Sequence, residues 1–153
     1  MFRFAPVALL MPASLVLAGC VLGVSPSPRP SSRPAPLLTV ERTGGLCVEG
    51  PCDRIVEIDT AGTVAEILPR QVTLGRVGRP LLERLSAEMS RTDFSVLEAR
   101  PFVGVCPTAY DGQETTYTFH LASGDEVVPS CKVAIEATSP LFVAADAALL
   151  IDR

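Results

Sequence analysis

The sequence predicts an α+β fold, in which two helices pack on an antiparallel sheet that is stapled by two disulfides. Three observations lead to this prediction. Apolar and polar residues alternate over several short segments, two apolar segments begin next to a proline, and four of the five cysteines lie among these segments. The order of strands, helix, strands and helix is typical of helices laid on an antiparallel sheet.

The first half of the domain is predicted to begin with strands. Strand-forming residues occupy 37–42 and alternate over 54–58. The turn signal at Asp59–Gly62 allows residues 63–68 to return as the second arm of a hairpin. A short strand around 71–74 follows, which completes the strands before the first helix.

The first helix is predicted from Pro80 to about Arg91, because a proline is tolerated in the first helical turn. Apolar residues at helical spacing share one face of this segment. That face is expected to pack into the core, and it consists of Leu81, Leu82, Leu85 and Met89.

The second half is predicted to repeat the order of strands and helix. Phe94–Leu97 is expected as a short strand, and residues 115–121 form the clearest strand of the chain. In that strand Tyr117 and Phe119 share the apolar face, whereas His120 lies on the polar face, where solvent exposure is expected.

The last elements are two further strands and a helix. Residues 126–128 are expected to pair back on the preceding strand, and Lys132–Ala137 alternates as a strand does. Ser139 and Pro140 are typical of a helix start. The following segment, Leu141–Ile151, is nearly all apolar and too short to cross a membrane, so a buried C-terminal helix is expected.

Residues 1–20 carry the features of an export signal. Arg3 precedes an apolar run, Phe4–Leu17, and the small residues Ala18 and Gly19 stand directly before Cys20. A cysteine thiolate at this position can be alkylated by a lipid. These residues resemble the lipobox of secreted bacterial lipoproteins, which implies cleavage after Gly19 and lipid on Cys20. An ordinary secretory signal is the alternative; a membrane-spanning anchor is disfavoured, because the apolar run is short and contains a proline.

The chain is therefore expected to have three parts. Residues 1–19 form a signal peptide, residues 20–36 a lipidated cysteine with a proline- and serine-rich tether, and residues 37–153 one globular α+β domain. The resemblance implies attachment to a membrane of the cell envelope, on the side that faces away from the cytoplasm. The net charge of −4 gives no electrostatic reason to bind nucleic acid.

Four cysteines remain once Cys20 is lipidated, and an even number in an oxidising compartment predicts two disulfides. Chain entropy alone does not choose among the three connectivities. A turn at Gly50-Pro51 favours the local pairs Cys47–Cys52 and Cys106–Cys131. The Cys-x4-Cys spacing is too wide for a common zinc site, so no metal is expected.

The sequence offers little that indicates catalysis. It contains no nucleophile elbow and no phosphate-binding glycine motif, and His120 is its one histidine. No catalytic residue and no cofactor is therefore predicted.

The segment Cys106–Glu114 is the most distinctive part of the domain. Its Cys-Pro, the following Asp-Gly and the later Cys131 resemble uncharacterised bacterial envelope lipoproteins, a resemblance that implies no activity. Asp111-Gly112 predicts a turn before a hairpin. Two carboxylates, Asp111 and Glu114, make a poor calcium site. Tyr110, Asp111 and Glu114 are instead candidate binding residues.

Three classes of function fit these features. The first is a non-enzymatic binding or accessory module with an unknown envelope protein or ligand as partner. The second is an envelope protease inhibitor that presents Glu49-Gly50 within the Cys47–Cys52 loop; Thr43-Gly44-Gly45 after a strand resembles small bacterial protease inhibitors. The third is a carboxylate-dependent hydrolase that uses Asp111, Glu114 and Glu126.

Overall fold

A computed structural model describes residues 33–47 and 52–150. The predicted signal peptide, Cys20 and most of the tether lie outside these residues. The described part contains one six-stranded antiparallel sheet with the strand order β4-β3-β2-β1-β5-β6. The strands are β1 Pro36–Thr43, β2 Arg54–Asp59, β3 Thr63–Leu68, β4 Val72–Arg76, β5 Glu114–Leu121 and β6 Gly124–Pro129.

The described helices are α1 Arg79–Arg91, α2 Phe94–Glu98 and α3 Pro140–Leu149, with a short 3₁₀ helix at Pro107–Tyr110. This arrangement confirms the predicted α+β class and the helical location of both proline-led segments. Within the described residues, no helix has the length and apolar character needed to span a membrane.

The core lies between one face of the sheet and the helices. Phe119 at its centre is fully buried, with its ring centroid 5.4 Å from that of Phe94 and 6.1 Å from that of Phe142. Side chains from the sheet and from α1 and α3 complete the core, and the largest fully buried ones are Phe119, Phe142, Leu38, Ile58, Leu85, Val64 and Val128. The alternation predicted for residues 115–121 thus correctly identifies the buried face.

The predicted strand at Phe94–Leu97 is wrong, because this segment begins the helix α2. The Asp93 carboxylate accepts hydrogen bonds from the backbone N–H groups of Ser95 and Val96, 3.1 and 3.3 Å away. An aspartate in this position satisfies donors that a helix start leaves unpaired. The hydrogen bond from the Ser95 hydroxyl, together with these two backbone bonds, lowers the pKa of Asp93.

The predicted strand at Lys132–Ala137 is also wrong. Val133 is buried and Lys132 is exposed, but Ala134 and Ile135 are both half-buried, so the alternation does not continue along the segment. The segment makes only an isolated bridge, Pro101 with Val133, among the described residues. The Val133 N–H instead donates to the carbonyl of Pro129, which closes a turn after β6.

The central strand β1 connects two opposite ends of the sheet. The chain enters at Ala35 and Pro36, where the Ala35 carbonyl accepts a hydrogen bond from the Thr60 N–H at 2.9 Å. The other end of β1 is Thr43, next to both disulfides. We call this second end the stapled end, and it consists of residues 44–47, 52–53, 102–113 and 130–131.

Candidate binding site

The two disulfides join the pairs that the sequence predicts. Cys47 is bonded to Cys52, with the Cα atoms 5.4 Å apart, and Cys106 is bonded to Cys131, with the Cα atoms 5.2 Å apart. The first disulfide closes the loop between β1 and β2, and the second ties the segment before β5 to the turn after β6. Both therefore brace loops at the stapled end.

The two disulfide-bearing loops also contact each other. The Leu46 N–H donates to the Asp111 carbonyl at 3.3 Å, and the Gln113 side-chain amide donates to the Cys52 carbonyl at 2.9 Å. Gly44 has a φ of +80°, and a Cβ built on it would lie 2.8 Å from the Cγ2 of Thr108. Glycine is therefore required both by the backbone conformation and by the close approach of the second loop.

The turn predicted at Asp111-Gly112 is present, and it explains why an aspartate stands there. Asp111 ends the 3₁₀ helix in the left-handed region, with φ 58° and ψ 18°. The Gly112 N–H donates to the Pro107 carbonyl at 2.8 Å and closes the turn. Aspartate tolerates this conformation better than most residues with a side chain.

Large apolar side chains of the stapled end are exposed to solvent. Leu46 is 78% exposed, Tyr110 77% and Val103 94%, and Val105 is exposed as well. The candidate binding residue Tyr110 is thus accessible, as expected from the sequence. The exposure of Leu46 could not be predicted from the sequence, because a leucine after two glycines is equally compatible with a buried position.

The three carboxylates of the hydrolase hypothesis do not come together. Glu114 begins β5, whereas Glu126 pairs with Phe119, which places them about 17 Å apart along the sheet at the usual rise per residue. The Glu114 carboxylate instead lies within 4.8 Å of the sulfurs of Cys106 and Cys131. Because disulfide sulfurs are not thiolates, this group offers a metal ion only the Glu114 carboxylate.

His120 is more enclosed than its polar strand position suggests, so the expectation of a solvent-exposed histidine is wrong. Its side chain is 20% exposed. Nδ1 lies 2.8 Å from the Asp125 carboxylate and Nε2 lies 2.9 Å from the Thr39 hydroxyl. In the neutral ring, Nδ1 donates to the carboxylate, so Nε2 accepts from the hydroxyl.

This order of hydroxyl, imidazole and carboxylate matches that of a hydrolytic triad. Here it spans the outer face of three paired strands, where Thr39 and His120 lie on strands that have neighbours on both sides. Backbone N–H groups in such strands are used by the sheet, so donors to an oxyanion here would have to come from side chains or from the edge strand β6. The two hydrogen bonds of His120 link the side chains of three adjacent strands.

A cleft of about 500 Å³ lies on the helix-covered face of the sheet, beside the stapled end. Its charged and polar lining includes Arg42, Arg54, Tyr117 and Asp146. The Tyr117 hydroxyl donates to the Asp146 carboxylate at 2.9 Å. Burial raises the pKa of Tyr117, and the adjacent Asp146 carboxylate raises it further. The hydroxyl is thus held in its neutral, donating form.

Sequence reasoning missed this cleft, although a signal for it exists. Arg42 is two residues after the buried Val40, and Arg54 is two residues before the buried Val56. Strand alternation places both arginines on the core-facing side of the sheet. An arginine at such a position is an exception to the apolar pattern, and two in neighbouring strands indicate a polar site.

Comparisons with known protein families, with curated proteins and with solved structures find no match for this chain.

Proposed function

We propose that the protein is a lipid-anchored lipoprotein of the bacterial cell envelope, and that its domain is a non-enzymatic binding or accessory module. The Leu17–Cys20 lipobox supports the anchor, with the membrane as partner through lipid on Cys20. The proline-rich segment before Arg33 supports a tether. The domain would face away from the cytoplasm and bind an envelope protein or ligand.

The direction of β1 is the observation that carries this proposal. The tether joins the domain at Pro36, and the stapled end begins after Thr43, at the other end of the same eight-residue strand. Such a strand is about 25 Å long. A domain anchored through its N-terminal segment would therefore present the stapled end away from the membrane.

The stapled end has properties that favour binding. Leu46 and Tyr110 are exposed, and each lies on a loop that a disulfide and the contacts between the loops hold in place. A preorganised loop loses little conformational entropy when it binds a partner. Exposed tyrosines are also common among residues that dominate binding energies.

The anchor is tested by replacing the residue that would carry the lipid. Protein made in a bacterial host should partition into the detergent phase, and the Cys20→Ser variant should remain in the aqueous phase. Two or more acyl chains anchor stably, with about 0.8 kcal/mol gained per buried CH₂. Equal partitioning of the two proteins would refute the lipoprotein assignment.

The binding face is tested with a matched pair of surface variants. The double variant Leu46→Ser/Tyr110→Ser changes the stapled end, and Val127→Ser changes an exposed valine on the edge strand β6. An envelope component retained by the wild type should be lost with the double variant and kept with the control. Retention by all three proteins would show that the stapled end is not the binding face.

A protease inhibitor remains the alternative, and one observation favours it. Gly44–Leu46 is held against the second loop by the Asp111 carbonyl and by the packing of Gly44 on Thr108, as an inhibitory loop requires. The predicted contact Glu49-Gly50 lies outside the described residues. The alternative would be favoured if the protein inhibits a protease slowly and stoichiometrically. Glu49→Arg should alter this inhibition, and Val127→Ser should leave it unchanged.

A further inference from the structure

We propose that the cleft lined by Arg42 and Arg54 binds a carboxylate that carries an aliphatic chain. This small-molecule site goes beyond the proposed function, because it depends neither on the membrane anchor nor on the exposed loops of the stapled end. The argument rests on the charge of the cleft, on its apolar lining and on its size.

The charge on the sheet side of the cleft favours an anion. Arg42 and Arg54 are paired in register across β1 and β2, where side chains on one face stand about 5 Å apart at Cβ and like charges repel. Arg54 is ion-paired, with its Nε 2.6 Å from a Glu66 carboxylate oxygen. Among the described residues, Arg42 has no carboxylate within ion-pair distance.

Arg42 is also half-buried and lines the cleft, so a ligand seated in the cleft would remove more of this side chain from water. A charged group that is partly desolvated is stable only when an opposite charge or hydrogen-bond acceptors compensate. A carboxylate fits the planar guanidinium in a bidentate manner. An anion bound next to the two arginine side chains would therefore compensate the charge of Arg42 and reduce its repulsion with Arg54.

The remaining lining favours an apolar chain. Val40 and Val56 line the cleft from the sheet and are buried. Leu149 and Leu150, at the C-terminal end of α3, line it from the helix side. Leu150 is 56% exposed, so an aliphatic chain lying on it would remove apolar surface from water. The volume of about 500 Å³ falls within the range of small-molecule sites.

Asp146 sets the position of the anion within the cleft. Its carboxylate already accepts the Tyr117 hydroxyl and lies on α3, opposite the sheet. Asp146 repels a ligand carboxylate from the helix side of the cleft. The carboxylate is therefore expected on the sheet side, next to Arg42. Removing this charge with Asp146→Asn should tighten binding.

The test is calorimetric titration of the purified protein with octanoate, with octan-1-ol and with acetate. We expect one site for octanoate, and at least tenfold weaker binding of the alcohol, which lacks the charge, and of acetate, which lacks the chain. Arg42→Gln should weaken octanoate binding about ten- to a hundredfold, since it removes a charge-assisted contact. Arg79→Gln, a control at an exposed ion pair far along the chain, should change it less than twofold.

A measurement without ligand separates loss of binding from loss of folding. Arg42→Gln removes a half-buried cation that has no carboxylate partner in the described part of the chain, so the variant should melt at the same temperature as the wild type or higher. Three results would overturn the proposal: octan-1-ol binding as tightly as octanoate, unchanged octanoate affinity in Arg42→Gln, or no octanoate binding at millimolar concentration. A lower melting temperature of the variant would assign Arg42 a structural role and would also overturn the proposal.

Discussion

Tyr117 on β5 and Asp146 on α3 connect the sheet to the C-terminal helix, with the tyrosine hydroxyl 2.9 Å from the carboxylate oxygen. The Tyr117 ring also packs edge-on against Phe142 of the same helix, at 5.1 Å between centroids. A polar and an apolar contact thus hold α3 at one place. The hydroxyl is protonated in this contact, which makes the contact sensitive to alkaline pH.

Replacing Tyr117 with Phe should lower the free energy of unfolding by about 0.5–1.5 kcal/mol at pH 8, through loss of one hydrogen bond. Folding raises the pKa of Tyr117 above its ordinary value of 10.0. Above about pH 10 the unfolded chain ionises first, so the stability contributed by the tyrosine falls as pH rises. Urea unfolding of both proteins at pH 8 and 10.5 should show a smaller difference at the higher pH. A difference that grows would contradict this contact.

Gly44→Ala should destabilise the domain by more than its backbone conformation alone requires, because the new methyl group meets the Cγ2 of Thr108 at 2.8 Å. Thr108→Ser removes that methyl group and should recover part of the loss. A double-mutant cycle in urea is expected to give a coupling energy of about 0.5–3 kcal/mol. If the effects of the two substitutions on stability are strictly additive, Gly44 and Thr108 are not in contact.

Asp111→Ala should cost about 0.5–2 kcal/mol, because alanine is strained in the left-handed conformation and lacks the aspartate side chain. Asp111→Gly adopts that conformation freely and should stay closer to the wild type. If the segment is only a turn, EDTA should not change the free energy of unfolding of the wild type or of either variant. A loss of stability in EDTA that disappears in Asp111→Ala would instead identify a metal site.

Phe119→Ala should lower the free energy of unfolding by about 3–5 kcal/mol, because this ring is fully buried between Phe94 and Phe142. Val103→Ala, at a residue that is 94% exposed, should change the free energy of unfolding by less than about 0.5 kcal/mol. Both are measured by urea unfolding. Similar losses in the two variants would place the core elsewhere.

Much of the fold could be predicted because local chemistry determines it. Asp59, for example, closes the predicted β2–β3 turn by accepting the N–H groups of Ala61 and Thr63 at 2.9 and 2.8 Å. The local disulfides follow from the same kind of reasoning. The strand prediction for Phe94–Leu97 is wrong because four apolar and polar residues fit a strand or a helix equally well, and the hydrogen bonds of Asp93 to the first turn favour the helix.

The sites were harder to predict, because they depend on pairing between strands. Thr39 and His120 meet across 81 residues of sequence, and no local pattern indicates which strand lies next to β1. Arg42 and Arg54 also become neighbours only through the β1–β2 register. Once the register is known, the contacts follow directly from strand alternation.

The pairing of β1 with β5, in which Val40 stands opposite Tyr117, has a consequence for how the chain folds. Such distant pairing slows folding, because a long loop must close before any contact forms. The disulfides join residues separated by only 5 and 25 positions, and neither crosses from β1–β4 to β5–β6. Oxidation can therefore be complete in each half while the sheet is still open. A chain cut between Arg100 and Cys106 would leave two internally oxidised fragments with no covalent link, which makes the domain a candidate for reconstitution from its halves.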